Sequence, residues 1–148
     1  MASKGQMTGM LGVYLTAVEL VKRGFIVSPT SRSAMGADLL VTDQCCRKAW
    51  SVQVKTNASV ANFWLTSPNT RHMASPSHIY VFVNVPKNLK NAPHFYIVPS
   101  HVVASTVRKT SPRSTGSVWH FYRRDNKYED NWKVFGNPSG PSPGKKLA

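Results

Sequence analysis

The sequence predicts an α/β fold in which helices flank a mixed central sheet. Three patterns among its 148 residues predict it. Leu11, Tyr14, Leu15, Val18 and Val21 recur at helical spacing, and Trp50, Val52 and Val54 alternate with Ser51, Gln53 and Lys55 as a half-buried strand does. The segment His78-Ile-Tyr-Val-Phe-Val-Asn-Val is apolar on both faces, the pattern of a strand covered on two sides.

In chain order, the first element is a helix over 7–23 whose buried face is Leu11, Tyr14, Leu15, Val18 and Val21, with Lys22 and Arg23 at its negative end and Gly24 as cap. Phe25-Ile-Val reads as a short strand stopped by Ser28-Pro29, 30–36 as a polar loop, and Asp38-Leu-Leu-Val-Thr as a second strand. A turn over 43–48 then makes a hairpin with the strand 49–56, and Phe63-Trp-Leu-Thr continues the meander. The central strand 78–85 is followed by Phe95-Tyr-Ile-Val. Ser100 is expected to cap a helix to Arg108, with Val102, Val103, Ala104 and Val107 apolar. A Ser/Thr/Pro/Gly loop over 109–117 precedes a strand over 119–124 and a short helix over 128–135. The expected organisation is one domain over 1–135 and a disordered Pro/Gly/Ser/Lys tail over 136–148, which offers nothing to bury.

Composition narrows the function. Nineteen Lys and Arg oppose six Asp and Glu, a formal charge of +13, yet 41% of residues are hydrophobic, with four Trp, five Tyr and six Phe. A disordered polycation would carry less apolar mass. Eight of the bases lie up to Arg71 and eleven from Lys87 onward, so the positive field belongs to the whole domain and suits a polyanion, chiefly nucleic acid. No apolar run approaches the ~20 residues of a membrane helix, and the first residues lack a secretory pattern. Cys45 and Cys46 are adjacent, which would strain a disulfide and falls short of four zinc ligands, so a reducing, cytoplasmic setting is expected. His72, His78, His94, His101 and His120 have no ligand spacing and are expected on the surface or in loops. Ser100-His101 lacks the surroundings of a nucleophile elbow.

Carboxylate chemistry must use Glu19, Asp38, Asp43, Asp125, Glu129 or Asp130, because there are no others. In the hairpin, Asp38 starts one strand while Gln53 and Lys55 share a face of its neighbour, so the three can converge. Such a group suits phosphodiester hydrolysis. A carboxylate and an amide oxygen can hold a hard cation beside the phosphate, and a lysine can orient water, deprotonate it when neutral, or offset developing charge when charged. Taken singly, Asp38 reads as a strand-start residue bonding loop amides, Gln53 as a half-exposed polar residue and Lys55 as a surface cation; their ordered combination favours the site. Arg32, Arg71, Arg108, Lys109 and Arg113 are the expected phosphate contacts, on loops that would flank it. Trp64, Trp119, Tyr122 and Trp132 are candidates to stack on bases, with most of them expected in the core.

These residues resemble the PD-(D/E)XK nuclease superfamily, in particular its small endonuclease, Holliday-junction-resolvase-like branch with glutamine as second acid (a QxK variant motif). The resemblance rests on Gly9-x-x-Gly12 opening a helix, Leu20 to Phe25 closing it, Gly36-x-Asp38-Leu-Leu-Val, Gln53-Val-Lys55-Thr, and Phe95-Tyr-Ile-Val-Pro-Ser, in that order. It implies a restriction-endonuclease-like αβββαβ core with a mixed central sheet flanked by helices. It also implies a metal-dependent DNA endonuclease with Asp38, Gln53 and Lys55 as catalytic residues and magnesium or manganese as cofactor. The partner implied is double-stranded or branched DNA, with no membrane and with room for a homodimer. One departure is that relatives carry a glutamate directly after the second glycine, where this chain has Val13. The metal ligands implied are then Asp38 and Gln53, supplemented by the phosphate or by Glu19, which lies six residues and ~9 Å further along the helix than Val13. Two other readings stay open: a catalytically silent nucleic-acid-binding member of the same fold, and a basic adaptor for an acidic protein.

Overall fold

The computed structural model describes residues 1–31, 35–88, 90–111 and 116–140. Helix α1 (Lys4–Lys22) starts three residues earlier than its apolar pattern suggests because a capping box begins it. Ser3 Oγ accepts from the Gln6 N–H at 3.2 Å, and the Ser3 N–H donates to Gln6 Oε1 at 2.8 Å. At the other end Arg23 is the cap, and Gly24 takes φ 92°. The Phe25 N–H reaches the Leu20 carbonyl at 3.1 Å and the Gly24 N–H the Val21 carbonyl at 2.9 Å. This double closure needs a left-handed residue at position 24, and it sets Leu20 and Phe25 together in the core.

The face that α1 buries differs from the expected one. Gly12, Thr16 and Leu20 are buried, while Leu11, Tyr14, Val18 and Val21 face outward; of the expected set only Leu15 packs partly against the core. The reason is steric. A Cβ on Gly12 would collide with the Thr56 side chain, so the helix sits on the sheet through its smallest residues.

Five strands form the main sheet in the order β1 (Ile26–Pro29), β2 (Leu39–Thr42), β3 (Ala49–Asn57), β5 (His78–Asn84), β6 (His94–Pro99). The β3/β5 pair is parallel and the other three are antiparallel, which makes the sheet mixed, as expected. Strand β5 is buried along its whole length. On one side Leu39, Val41, Val52, Val54, Val81, Val83 and Ile97 join α1, Phe25 and Phe135 in the larger core. On the other, Tyr80, Phe82, Tyr96 and Val98 pack against Trp64, Phe121 and Val103.

The strand β4 (Phe63–Thr66) is not part of the meander. It pairs with β8 (Val118–Tyr122), which pairs with β7 (Arg108–Thr110), in a separate three-stranded antiparallel sheet. The Trp64 indole explains the move: it is buried against Phe82 and Phe121, donating to the Val83 carbonyl at 3.0 Å. Helix α2 (Ser100–Thr106) is shorter than expected, and Ser100 does not cap it. Its hydroxyl instead donates to the Ser75 carbonyl at 2.8 Å and accepts the Ser75 N–H at 2.9 Å, tying α2 to the segment before β5.

Of the expected terminal helix only a 3-10 turn at Trp132–Phe135 forms, after Asp130 adopts a positive φ of 46°. Gly136 to Gly140, where a disordered tail was expected to begin, lie against the β2–β3 turn: the Gln44 N–H meets the Pro138 carbonyl at 2.8 Å and Cys45 Sγ the Ser139 carbonyl at 3.4 Å. The remainder of that tail, 141–148, lies outside the described residues. His78 and His120 are buried rather than on the surface, whereas His72, His94 and His101 are exposed. Cys45 and Cys46 are free thiols, both exposed. Among the described residues no helix is long and apolar enough to cross a membrane.

Candidate active site

The site is built where β2 begins. Gly36 turns the chain at φ 85° beneath the Met73 side chain, and the residues that follow are pinned on both sides. Thr30 donates its hydroxyl to the Ala37 carbonyl at 2.6 Å and its N–H to the Asp38 carbonyl at 2.9 Å, while the Asp38 N–H donates to the Val52 carbonyl at 2.7 Å. Because Leu39 pairs with Val52, Asp38 falls opposite Gln53. Gln53 Nε2 donates to Asp38 Oδ2 at 2.5 Å, and the Val54 N–H donates to the same oxygen at 2.7 Å. The pleat puts Lys55 on the Gln53 side of β3.

Burial pushes the Asp38 carboxyl above its ordinary value, and the Val54 N–H and the positive charge of Lys55 draw it partly back. The structure therefore brings Asp38 and Gln53 into contact, while Lys55, on the Gln53 side of β3, reaches the carboxylate through its charge and not through an ion pair. Asp38 also lines a hollow of about 460 Å³, bounded by Gln6, Gly9, Met10, Val13 and Tyr14 of α1 and by Thr30 across from them. Val13, the position of the departure noted above, thus faces the same space as Asp38. Gln53 and Lys55 approach Asp38 from outside the lining of this hollow.

Glu19 is not brought to the site. Its carboxylate is held by Arg23 at 2.5 Å and Lys22 at 3.0 Å near the end of α1, and the Arg23 contact chiefly keeps it below its ordinary value despite some desolvation. Among the described residues no three His, Cys, Asp or Glu side chains gather as a metal cluster. The oxygen donors at hand are the Asp38 carboxylate and the Gln53 amide oxygen, which is turned away because Nε2 faces Asp38. As the amide stands, the Asp38 carboxylate is the donor a hard cation would meet, and the ion would keep several waters and complete its shell with phosphate, or with the Gln53 oxygen after the amide turns over.

The expected phosphate contacts separate into groups. Arg71 is exposed and stacks over Trp119, 4.4 Å from the ring centroid. Arg108 and Lys109 are exposed on β7 and border a second hollow, of about 570 Å³, with Thr110, Tyr122 and Arg124. Arg32 and Arg113 lie outside the described residues. Trp64 and Trp132 are buried, which leaves Trp119 and Tyr122 as the accessible candidates for stacking. Sequence reasoning missed Arg124 and Phe63. Phe63 packs with His120 and Tyr122 on the outer face of the second sheet, with ring centroids 5.6 to 5.8 Å apart. The signal available was the alternation Phe63/Leu65 against His120/Tyr122, legible only once β4 and β8 are known to pair.

No protein-family model matches the chain, and no curated protein matches it in sequence. Among solved structures, a bacterial homing endonuclease, I-Ssp6803I, superposes with a TM-score of 0.53 and 17% identity over 90% of this chain and 91% of that one. Hjc, a Holliday junction resolvase from the archaeal hyperthermophile Archaeoglobus fulgidus, is a looser likeness: TM-score 0.43 and 11% identity over 85% of this chain and 96% of that one. With its mixed five-stranded sheet and flanking helices, the chain has a restriction-endonuclease-like α/β fold, similar to that of the homing endonuclease.

Proposed function

We propose that this chain is a metal-dependent endonuclease that hydrolyses DNA phosphodiesters at Asp38, Gln53 and Lys55. The observation that carries the reading is the bond from Gln53 to Asp38 across the β2/β3 pair, with Lys55 on the Gln53 side of the same strand. Asp38, joined by the Gln53 amide oxygen once that amide turns over, would hold magnesium or manganese, which when bound supplies positive charge at the scissile phosphate. Lys55 orients the attacking water, whose proton passes to a phosphate oxygen, and its ammonium offsets the charge that grows there. Val54 and Thr30 keep Asp38 in place through the backbone, so the carboxylate needs no rearrangement when substrate arrives. Arg71, Arg108, Lys109 and Arg124 supply phosphate contacts, in keeping with the formal charge of +13.

One observation favours a second reading, binding without turnover: Val13 puts a methyl-bearing side chain where a further acid would face Asp38. Cleavage assays on supercoiled, linear, branched and single-stranded DNA with magnesium or manganese separate the two. The nuclease reading expects metal-dependent cleavage that Asp38→Ala and Lys55→Ala each abolish, with binding retained in Lys55→Ala. DNA binding without cleavage of any substrate would establish the silent reading instead.

A further inference from the structure

Helix α1 is apolar on two opposite faces, and only one of them is used by the fold. Met7, Leu11, Tyr14, Val18 and Val21 are 55, 39, 56, 54 and 57% exposed. Their spacing of four, three, four and three residues is the seam of a two-stranded coiled coil, running the length of a helix ~28 Å long. On an ideal helix this stripe lies directly opposite Gly12, Thr16 and Leu20, which face the sheet. Soluble monomers rarely leave so continuous an apolar strip in water.

We infer that α1 pairs with α1 of a second copy of this chain across a two-fold axis. Three observations select that occupant. First, the stripe and the flanking Thr8, Met10, Leu15 and Ala17 carry no charge, so two identical stripes meet without repulsion; Lys4, Glu19 and Lys22 fall at or beyond the rim. Second, the same lack of bases makes it unsuitable for nucleic acid, in a chain that carries 19 Lys and Arg elsewhere. Third, the five side chains expose on the order of 500 Å² per copy, so pairing can bury at most about 1,000 Å², which reaches the lower limit of a specific interface and has the apolar character of homodimer contacts. The 141–148 segment, with Leu147 as its one large apolar side chain, is too poor in such groups to cover the strip.

Tyr14 belongs both to the seam and to the rim of the Asp38 hollow, so pairing sets two hollows beside one helix pair. That consequence rests on the nuclease reading; the pairing itself does not.

The test is the mass of the full chain by sedimentation across a concentration series, for wild type, Leu11→Glu and Val18→Glu. Both positions are exposed, so neither variant should lose its far-ultraviolet spectrum or melt appreciably earlier. Wild type is expected to sediment at twice the 16.4 kDa chain mass, with the dimer dissociation constant raised at least ~100-fold in each variant, leaving monomers. Monomeric wild type throughout would overturn the inference, as would a dimer that both variants leave intact. A monomer that instead co-sediments with phosphatidylcholine vesicles through these residues would assign the strip to a lipid surface and overturn it too. These masses are read without DNA or metal, so a chain that dimerises but never cleaves would refute only the nuclease reading.

Discussion

Gln53 Nε2 donates to Asp38 Oδ2 2.5 Å away, beside the Val54 N–H, whose bond to the same oxygen offsets part of the cost of the carboxylate's half-buried position. The cost that remains is desolvation, which pushes the Asp38 carboxyl above its ordinary value of 3.8. A carboxyl raised in the folded state favours folding in its protonated form. That contribution is complete below 3.8 and is lost as pH rises through the raised value. Near neutrality the ionised Asp38 therefore costs stability. An asparagine keeps one oxygen to accept from Gln53 and from the Val54 N–H without carrying charge. Asp38→Asn should melt higher than wild type near pH 7, by on the order of 1 kcal/mol, with the advantage fading in acid. A variant less stable than wild type near pH 7 would contradict this account of the site.

The two glycines of the helix motif should behave in opposite ways. A Cβ at Gly9 meets no atom within 4 Å, so Gly9→Ala should stabilise α1 by up to ~1 kcal/mol through helix propensity. At Gly12 the added carbon would strike the β-branched Thr56, which has no flexible end to swing aside, so Gly12→Ala should cost ~1–3 kcal/mol. Chemical denaturation of the two variants decides the matter. Equal effects would mean that α1 does not rest on β3 through Gly12.

The same contact explains where sequence reading succeeded and failed. Periodicity located α1, but the phase was reversed: hydrophobic size pointed to Tyr14 and Val18, whereas close approach to Thr56 selects Gly12 and Thr16. The pairing of Asp38 with Gln53 was legible because a hairpin is local, and its turn fixes which residues oppose each other. The β4–β8 pairing joins residues almost sixty positions apart, with no local signal, so Phe63 was assigned to the wrong sheet. His78 and His120 were assigned to the surface because nothing in their neighbours shows that Ser51 and Thr110 stand ready as partners.

His78 sets the acid limit. Burial holds its imidazole below the ordinary value of 6.5, and the Ser51 backbone draws it only partly back; the Ser51 hydroxyl lies 2.7 Å from Nδ1. A depressed folded value means stability that is present above 6.5 and lost as pH falls through the lowered value. Urea midpoints should therefore drop as pH falls below about 6.5 in wild type, and drop less in His78→Asn, whose amide replaces Nδ1 toward Ser51. An identical decline in both proteins would move the acid sensitivity elsewhere.

DNA affinity should fall steeply with salt, by about 0.9 log units per tenfold salt for each phosphate neutralised. Arg108 and Arg124 border the same hollow on the outer sheet, so Arg108→Ala and Arg124→Ala should each lower the slope by about one and weaken all sequences alike. Unchanged slopes would place the DNA on another face.

Val13→Glu tests the pocket without relying on turnover. Val13 packs partly against the core and lines the hollow that Asp38 shares, so a carboxylate there is half-desolvated and faces a second negative charge. In the absence of divalent metal the two repulsive effects should lower stability by ~1–2 kcal/mol relative to wild type. Manganese or magnesium should then raise the melting temperature of Val13→Glu more than that of wild type, because a ligand that binds only the folded state stabilises in proportion to its affinity, and a second carboxylate raises that affinity. In Val13→Glu combined with Asp38→Asn the metal-induced shift should collapse, since the ion then loses the carboxylate held by Gln53 and Val54. If metal stabilises Val13→Glu no more than wild type, the hollow beside α1 is not the metal side of the site. Asp38 would then work, if at all, only from the face it shares with Gln53 and Lys55.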